Sequence, residues 1–264
     1  MLMTVNVGNS TISVGFFRED ACELLFRFEL STDLKKTSDE YQSLIRALFC
    51  ERASSDEPIS GVILSSVVPQ LTTTVCRAVS AFAGTEPLLV GPGVRTGFPI
   101  KIDSPSELGG DMVANAAAVI HTGLGVGGAI LVDMGTVTTV SAISRLGEFV
   151  GCAIAPGVRV SLEALHSCTA QLPNVVLAKP TRAIGKSSRE SVCSGVVLGN
   201  AMMLDGFVSR FASEMKSDIK DIRLVMTGEY GQTVMSACEN SFAYDEDLTL
   251  CGLYYLYRNT VQNS

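Results

Sequence analysis

The sequence is poor in what a nucleic-acid binder, a zinc protein or a membrane span requires. Lysine and arginine together number 20 against 27 acidic residues, a formal net charge of −7. No basic cluster forms a stripe, and a phosphate backbone demands concentrated positive charge, so no nucleic-acid surface is expected. There are two histidines, His121 and His166, and neither has a partner at metal-ligand spacing, so structural roles are expected for both. The eight cysteines form no C-x-x-C pair. Most lie in apolar stretches, where Cys acts as a small hydrophobe, and a reduced cytoplasmic protein fits best. The N-terminus MLMTVNVGNSTI lacks a basic n-region and a cleavage site, so no signal peptide is expected. Apolar runs such as GGAILV are broken within about ten residues, too short to span a bilayer.

What the chain has is apolar content: 47% hydrophobic against 18% charged over 264 residues. That describes a well-buried globular protein of one large domain or two ordinary ones. The stretch MTVNVGNSTISVGFF (3–17) reads as strand, tight Gly-bearing turn, strand, and AILVDMGTVTTVSAI (129–143) has the same outline. Aligned on glycine, Asn6-Val7-Gly8-Asn9 matches Asp133-Met134-Gly135-Thr136. Around the first turn the pattern predicts strands near 2–7, 11–18 and 23–30. A capping box at Thr37–Glu40 opens a helix to about Arg52. A buried strand at 61–67, a helix from Pro69 and a strand ending near 93 follow. The loop VRTGFPIKIDSPSE then leads to the small-residue helix GGDMVANAAAVIH. The second half repeats the scheme, with strands near 129–133, 137–144 and 148–154 and a helix after Pro156-Gly157. A long helix from Ser188 to Met215, a strand at 222–228 and two more helices complete it. Self-similarity at half the chain length predicts a duplicated α/β fold with halves 1–120 and 121–264 and a cleft between them.

Glycine at the bend of a strand–turn–strand lets backbone N–H groups approach phosphate oxygens, because no Cβ intervenes. Hydroxyls such as Ser10, Thr11, Thr136 and Thr138 add donors, and a carboxylate at the strand end holds a hard cation against the same phosphates. Each turn alone also reads as an ordinary hairpin, since Gly with Asn or Thr is common turn chemistry. One such turn per half favours a grip on a triphosphate from two sides. Asp111, at the start of a helix after Leu108-Gly109-Gly110, reads either as dipole complementation or as a general base taking a proton from a substrate hydroxyl.

The ordered set of motifs resembles the type III pantothenate kinase family, of the acetate and sugar kinase/heat-shock 70/actin superfamily. The family's Asp-x-Gly-Asn-[Thr/Ser] corresponds to Asn6–Ser10, and its Gly-Pro-Gly-x-[Lys/Arg]-Thr-Gly to Gly91–Gly97. Its Asn-Pro-x-Glu-x-Gly-Ala-Asp-Arg corresponds to Ser104–Met112, and Asp-Phe-Gly-Thr-Ala-Thr-Thr to Asp133–Thr139. Gly-Gly-x-Ile-Ala-Pro-Gly appears as Gly151–Gly157, and shorter segments at 172–175, 184–185, 194–195 and 245–253 follow in order.

The resemblance implies duplicated ribonuclease H-like (actin-like ATPase) halves, mixed β-sheets flanked by helices, and ATP-dependent phosphorylation of pantothenate, the first step toward coenzyme A. It implies that Asn6, Val7, Gly8, Asn9, Ser10, Thr11, Ile12, Ser13 and Thr136 bind ATP. Asp111 is then the base, and Gly109, Gly110, Asp111, Met112 and Ser188 bind the acceptor. Asp133 binds a monovalent cation (K⁺ or NH₄⁺) used beside Mg²⁺, and the protein is a homodimer with no nucleic-acid or membrane partner.

Four motif positions depart from the family pattern: Asn6 stands for Asp, Met112 for Arg, Cys152 for Gly, and Glu229 for the second Gly of a Thr-Gly-Gly segment. Asn6 and Met112 leave three functions open: a working but divergent pantothenate kinase, a non-catalytic nucleotide- or ligand-binding relative with an accessory or regulatory role, and a kinase for a less anionic hydroxyl substrate.

Overall fold

The computed structural model describes residues 1–53, 57–169, 172–173 and 175–261. They divide into two compact units. The first comprises Met1–Phe98, Asp103–Thr122 and Asp247–Ser264, and the second Pro99–Ile102 and Gly123–Glu246.

In the first unit a meander of β1 (Leu2–Val7), β2 (Thr11–Phe17) and β3 (Leu24–Ser31) is followed by α1 (Ser38–Arg52), β4 (Gly61–Ser66), α2 (Pro69–Ala83) and β5 (Leu88–Leu89). The sheet order is β3-β2-β1-β4-β5, with β1 antiparallel to β2 and parallel to β4. The capping box forms as expected: Glu40 N–H donates to Thr37 Oγ1, and Thr37 N–H to Glu40 Oε2. Alternation along the strands sends Met3, Val5, Val7, Val62 and Leu64 to the core shared with Tyr41 and Ile45 of α1 and Leu71 and Val75 of α2. Leu2, Thr4, Asn6, Ile63 and Ser65 therefore point to the other face, where α3 (Gly110–Thr122) and α8 (Leu248–Val261) lie. Those two helices cross at Gly252, where an added β-carbon would meet the Ala114 carbonyl oxygen at 1.8 Å. Their contact needs glycine there. The C-terminal helix thus belongs with the first unit, although a division at 120/121 would assign it to the second.

The second unit repeats the plan with β6 (Gly128–Met134), β7 (Val137–Ile143), β8 (Phe149–Pro156), α4 (Val158–Ser167), β9 (Ile222–Thr227), the short α7 (Gly231–Met235) and β10 (Ala243–Tyr244). Its sheet runs β10-β9-β6-β7-β8, the first sheet's order in reverse listing, again with an antiparallel meander and parallel additions. Two copies of this five-stranded mixed sheet with helices on its faces are the duplicated ribonuclease H-like fold expected from the sequence.

The predicted long helix is present but not uniform. A π turn over Ser194–Leu198 separates α5 (Ser188–Cys193) from α6 (Gly199–Glu214). By length and composition this continuous helical stretch is apolar enough to cross a membrane, which corrects the expectation that every apolar run is too short. The stretch keeps Asp205 within its apolar part, and Val196, Ala201, Leu204, Val208 and Ala212 pack into the second unit's core with Val132, Met134 and Met226. Core packing accounts for the hydropathy.

Candidate active site

In the first unit the β1–β2 turn is held from the end of β3. Gly8 N–H donates to the Thr11 carbonyl at 3.0 Å, Thr32 Oγ1 donates to the Gly8 carbonyl at 2.6 Å, and Thr32 N–H to the Ser10 carbonyl at 3.1 Å. A β-carbon at Gly8 would stand 3.0 Å from the Thr11 carbonyl oxygen, so the bend is too tight for a larger residue without movement. Asn9 is exposed, and Ser10, Thr11 and Ser13 are half-buried. Val7 and Ile12 are buried in the core, so they can offer a phosphate only backbone groups.

Asn6, at the end of β1, is paired with Ser13 on β2 and with Ser65 on β4. Its Oδ1 and the Ser65 hydroxyl oxygen are both shut off from solvent, and neither has a hydrogen-bond partner among the described residues. A buried polar atom without a partner costs about 1–3 kcal/mol, so two side by side mark a place built for a purpose other than stability.

The start of α3 lies directly over this pair. A β-carbon at Gly110 would stand 2.7 Å from Ser65 Oγ and 3.2 Å from Val90 Cγ1, and one at Gly109 would stand 2.5 Å from Asp111 Oδ1. A side chain at either position would have to displace a neighbouring side chain, Asp111 itself at 109 and Ser65 at 110. Asp111 Oδ1 accepts the Met112 N–H at 2.8 Å. Burial raises the Asp111 carboxyl above its ordinary value, opposed by the backbone N–H groups of Met112 and of Asp111 itself. A desolvated carboxylate with a raised pKa is a better proton acceptor than a solvated one. Met112 is only 9% exposed, and its N–H is the donor to Asp111 Oδ1.

In the second unit Asp133 ends β6 opposite Thr139 of β7 and Thr227 of β9. Its side chain bends over the turn: a β-carbon at Gly135 would lie 3.6 Å from Asp133 Oδ1. Two further glycines close on the same turn. A β-carbon at Gly157, just before α4, would meet the Thr136 carbonyl oxygen at 2.2 Å, and one at Gly228 would meet the Met134 backbone at 2.6 Å. The turn, the start of α4 and the end of β9 are thus packed backbone to backbone. Thr138 Oγ1, buried on β7, has no partner among the described residues. Glu229 is exposed immediately after Gly228, and Cys152 is exposed on β8. Ser188, also exposed, opens α5 after Ser187, whose hydroxyl accepts the Glu190 N–H at 3.2 Å.

The structure brings Asn6, Gly109, Gly110 and Asp111 together in the first unit and places Asp133, Thr136 and Ser188 in the second. Sequence reasoning missed Ser65, although a hydroxyl inside the apolar run GVILSS was a visible signal. Among the described residues no group of three or more His, Cys, Asp and Glu side chains could hold a metal ion. The donors present near the two turns are isolated oxygens, which suits Mg²⁺, a cation that keeps several waters and takes one or two protein oxygens plus substrate phosphates.

A family model described as type III pantothenate kinase matches residues 2–210. The type III pantothenate kinase of Moorella thermoacetica is 38% identical over 261 residues, covering 98% of this chain and 100% of that protein. The one from Myxococcus xanthus is 36% identical over 260 residues, 97% of this chain and 98% of its own. Among solved structures, a Baf-family protein of Campylobacter jejuni aligns with a TM-score of 0.60 at 16% identity, over 98% of this chain and 99% of that one. The activator of 2-hydroxyisocaproyl-CoA dehydratase from Clostridium difficile, solved with bound ADPNP, aligns at 0.51 and 11% identity, over 99% of this chain and 96% of that one. At such identities the structural likeness speaks for the fold alone.

Proposed function

The chain belongs to the type III pantothenate kinase family, and from that premise we propose that it transfers the γ-phosphoryl group of ATP to the hydroxyl of pantothenate with Asp111 as the base. The product is 4′-phosphopantothenate, and the reaction is the first step of coenzyme A synthesis. The observation that carries the role of Asp111 is its setting: a largely buried carboxylate with a raised pKa, at a helix start where two glycines pack close to Asp111 and Ser65.

Asp111 takes the proton of the acceptor hydroxyl. The oxygen forms its bond to the γ-phosphorus as the bond to the β–γ bridging oxygen breaks, and ADP departs. Little covalent chemistry is asked of the protein in such a transfer, so positioning and electrostatics carry the rate. Asn9, Ser10, Thr11, Ser13 and the backbone of residues 6–13 supply phosphate donors in the first unit, and Thr136 in the second. Mg²⁺, when bound with ATP, neutralises charge developing on the phosphates. The oxygens that fit it are Asn6 Oδ1 in the first unit, and for the monovalent cation Asp133 in the second. Gly109, Gly110 and the Met112 N–H line the acceptor side. Met112 offers no fork for the pantothenate carboxylate, so that end relies on other groups.

We read the protein further as a cytoplasmic homodimer in which the exposed Ser188 hydroxyl reaches the acceptor, a reading that rests on the family resemblance and on the exposure of that residue.

The test is a coupled ATP/pantothenate assay with Mg²⁺ and K⁺ on the wild type and on Asp111→Asn. Turnover by the wild type, lost in Asp111→Asn while ATP binding persists, is expected. Undiminished turnover in the variant refutes the base. ATP binding without any wild-type turnover favours the non-catalytic alternative.

A further inference from the structure

Gly109 and Gly110 leave the start of α3 without side-chain restraint of its own, since successive glycines accept many backbone conformations. The Val113 N–H to Gly109 carbonyl bond and the Met112 N–H to Asp111 Oδ1 bond close the turn on itself, and its seat on the sheet is set from beneath. What lies beneath is Ser65: fully buried on β4, on the sheet face that carries α3, with its Oγ 2.7 Å from where a Gly110 β-carbon would be. Val90 Cγ1 closes the other side at 3.2 Å. The first turn of α3 is wedged between an oxygen and a methyl group.

A hydroxyl is a poor choice for that floor if stability is the only criterion. Ser65 Oγ has no hydrogen-bond partner among the described residues, and its cross-strand neighbour Asn6 has an amide oxygen in the same condition. An apolar group of similar size would remove the cost of the unsatisfied hydroxyl. Asn6 ends the strand that leads into the first turn, so Ser65 stands between that strand and the helix that carries the base.

We propose that Ser65 is a positioning residue for the phosphoryl transfer: its buried hydroxyl, in contact with Gly110 and beside Asn6, fixes the first turn of α3 and so the distance of Asp111 from the reacting centre. The proposal rests on Asp111 being the base. It predicts a separation that a packing role does not produce. In Ser65→Ala the full-length protein should melt at or above the wild-type temperature, while kcat falls about 10²-fold, the scale of a misplacement near 1 Å, with KM for ATP and for pantothenate within about twofold.

A second comparison does not depend on turnover. Gly110→Ala should lower Tm in the wild-type background and lower it clearly less in the Ser65→Ala background, where the obstructing oxygen is gone. Wild-type kcat in Ser65→Ala, or a fall in kcat that only follows a fall in Tm, overturns the proposal. So does an equal loss of Tm from Gly110→Ala in both backgrounds. Absence of turnover in the wild type itself would instead refute the kinase reading, and the melting comparison would still decide whether Ser65 sets the helix.

Discussion

Replacing Asn6 by Asp separates what this site gives to folding from what it gives to the reaction. Asn6 Oδ1 is buried without a partner, next to the equally unpartnered Ser65 hydroxyl and beneath the helix start that carries the desolvated Asp111. With no cation bound, a carboxylate at position 6 gains no compensating charge. Wild-type Asn6 already bears the ~1–3 kcal/mol of an unpartnered neutral oxygen, and a buried charge costs more; an excess of about 1 kcal/mol or more lowers Tm by roughly 2–4 °C or more in a chain of this size. With Mg²⁺ and ATP present the sign reverses. A unit charge about 4 Å from the carboxylate contributes roughly 4 kcal/mol at an effective dielectric near 20. Coordinated water and phosphate screen that figure, so a rise of about 10- to 10³-fold in kcat/KM is the expected range. The assay is a pair of measurements on Asn6→Asp and wild type: melting with and without Mg²⁺–ATP, and steady-state kinetics with pantothenate. The expected variant is less stable alone, recovers with Mg²⁺–ATP, and turns over faster. An Asn6→Asp protein that melts like wild type in both conditions and is no faster would refute the argument that position 6 faces the metal and the phosphates.

Two other expectations follow from the first unit. Because burial raises the Asp111 carboxyl, the folded state holds that proton more tightly than the unfolded chain, and stability is lost as pH rises from the ordinary carboxylate value through the raised one. Asp111→Asn should therefore melt above wild type near neutral pH, with the two converging in acid, while the acid limb of wild-type kcat/KM lies above the usual carboxylate range; equal melting at both pH values would contradict this. Gly252→Ala places a β-carbon 1.8 Å from the Ala114 carbonyl oxygen, so it should destabilise by about 1–3 kcal/mol or more and lower the soluble yield, whereas an unchanged Tm would show that α3 and α8 can separate freely.

The order of strands and helices was legible because each element carries a local signal: alternation in β1 and β2, the Thr37–Glu40 box before α1, Pro69 at the start of α2. What escaped was set by distant partners. β10 is two residues long and exists because Ala243 and Tyr244 pair with Val225 and Met226. The π turn inside the long helix contains Gly195 and is followed by Gly199, and neither glycine has the positive φ that would mark a break. The segment MVANAAAV, apolar but for Asn115, is buried along its whole length, so no one-sided stripe announced which face meets α8. Ser65 carried only the weak signal of a hydroxyl in the apolar run GVILSS, and the register with Asn6 and the approach of Gly110 give it significance.

The return of α8 to the first unit has a consequence for how the protein is made. Domains ordinarily fold from the N-terminal end as synthesis proceeds. Here β1 to α3 emerge well before the helix that covers α3 at Gly252. Between the end of α3 and the end of α8 the ribosome adds about 140 residues, roughly seven to thirty seconds at about 5–20 residues per second. During that interval the second unit, contiguous except for its short 99–102 segment, can complete its own sheet. The first unit is thus completed after the second, and a chain cut before α8 loses the support of its base rather than a dispensable tail.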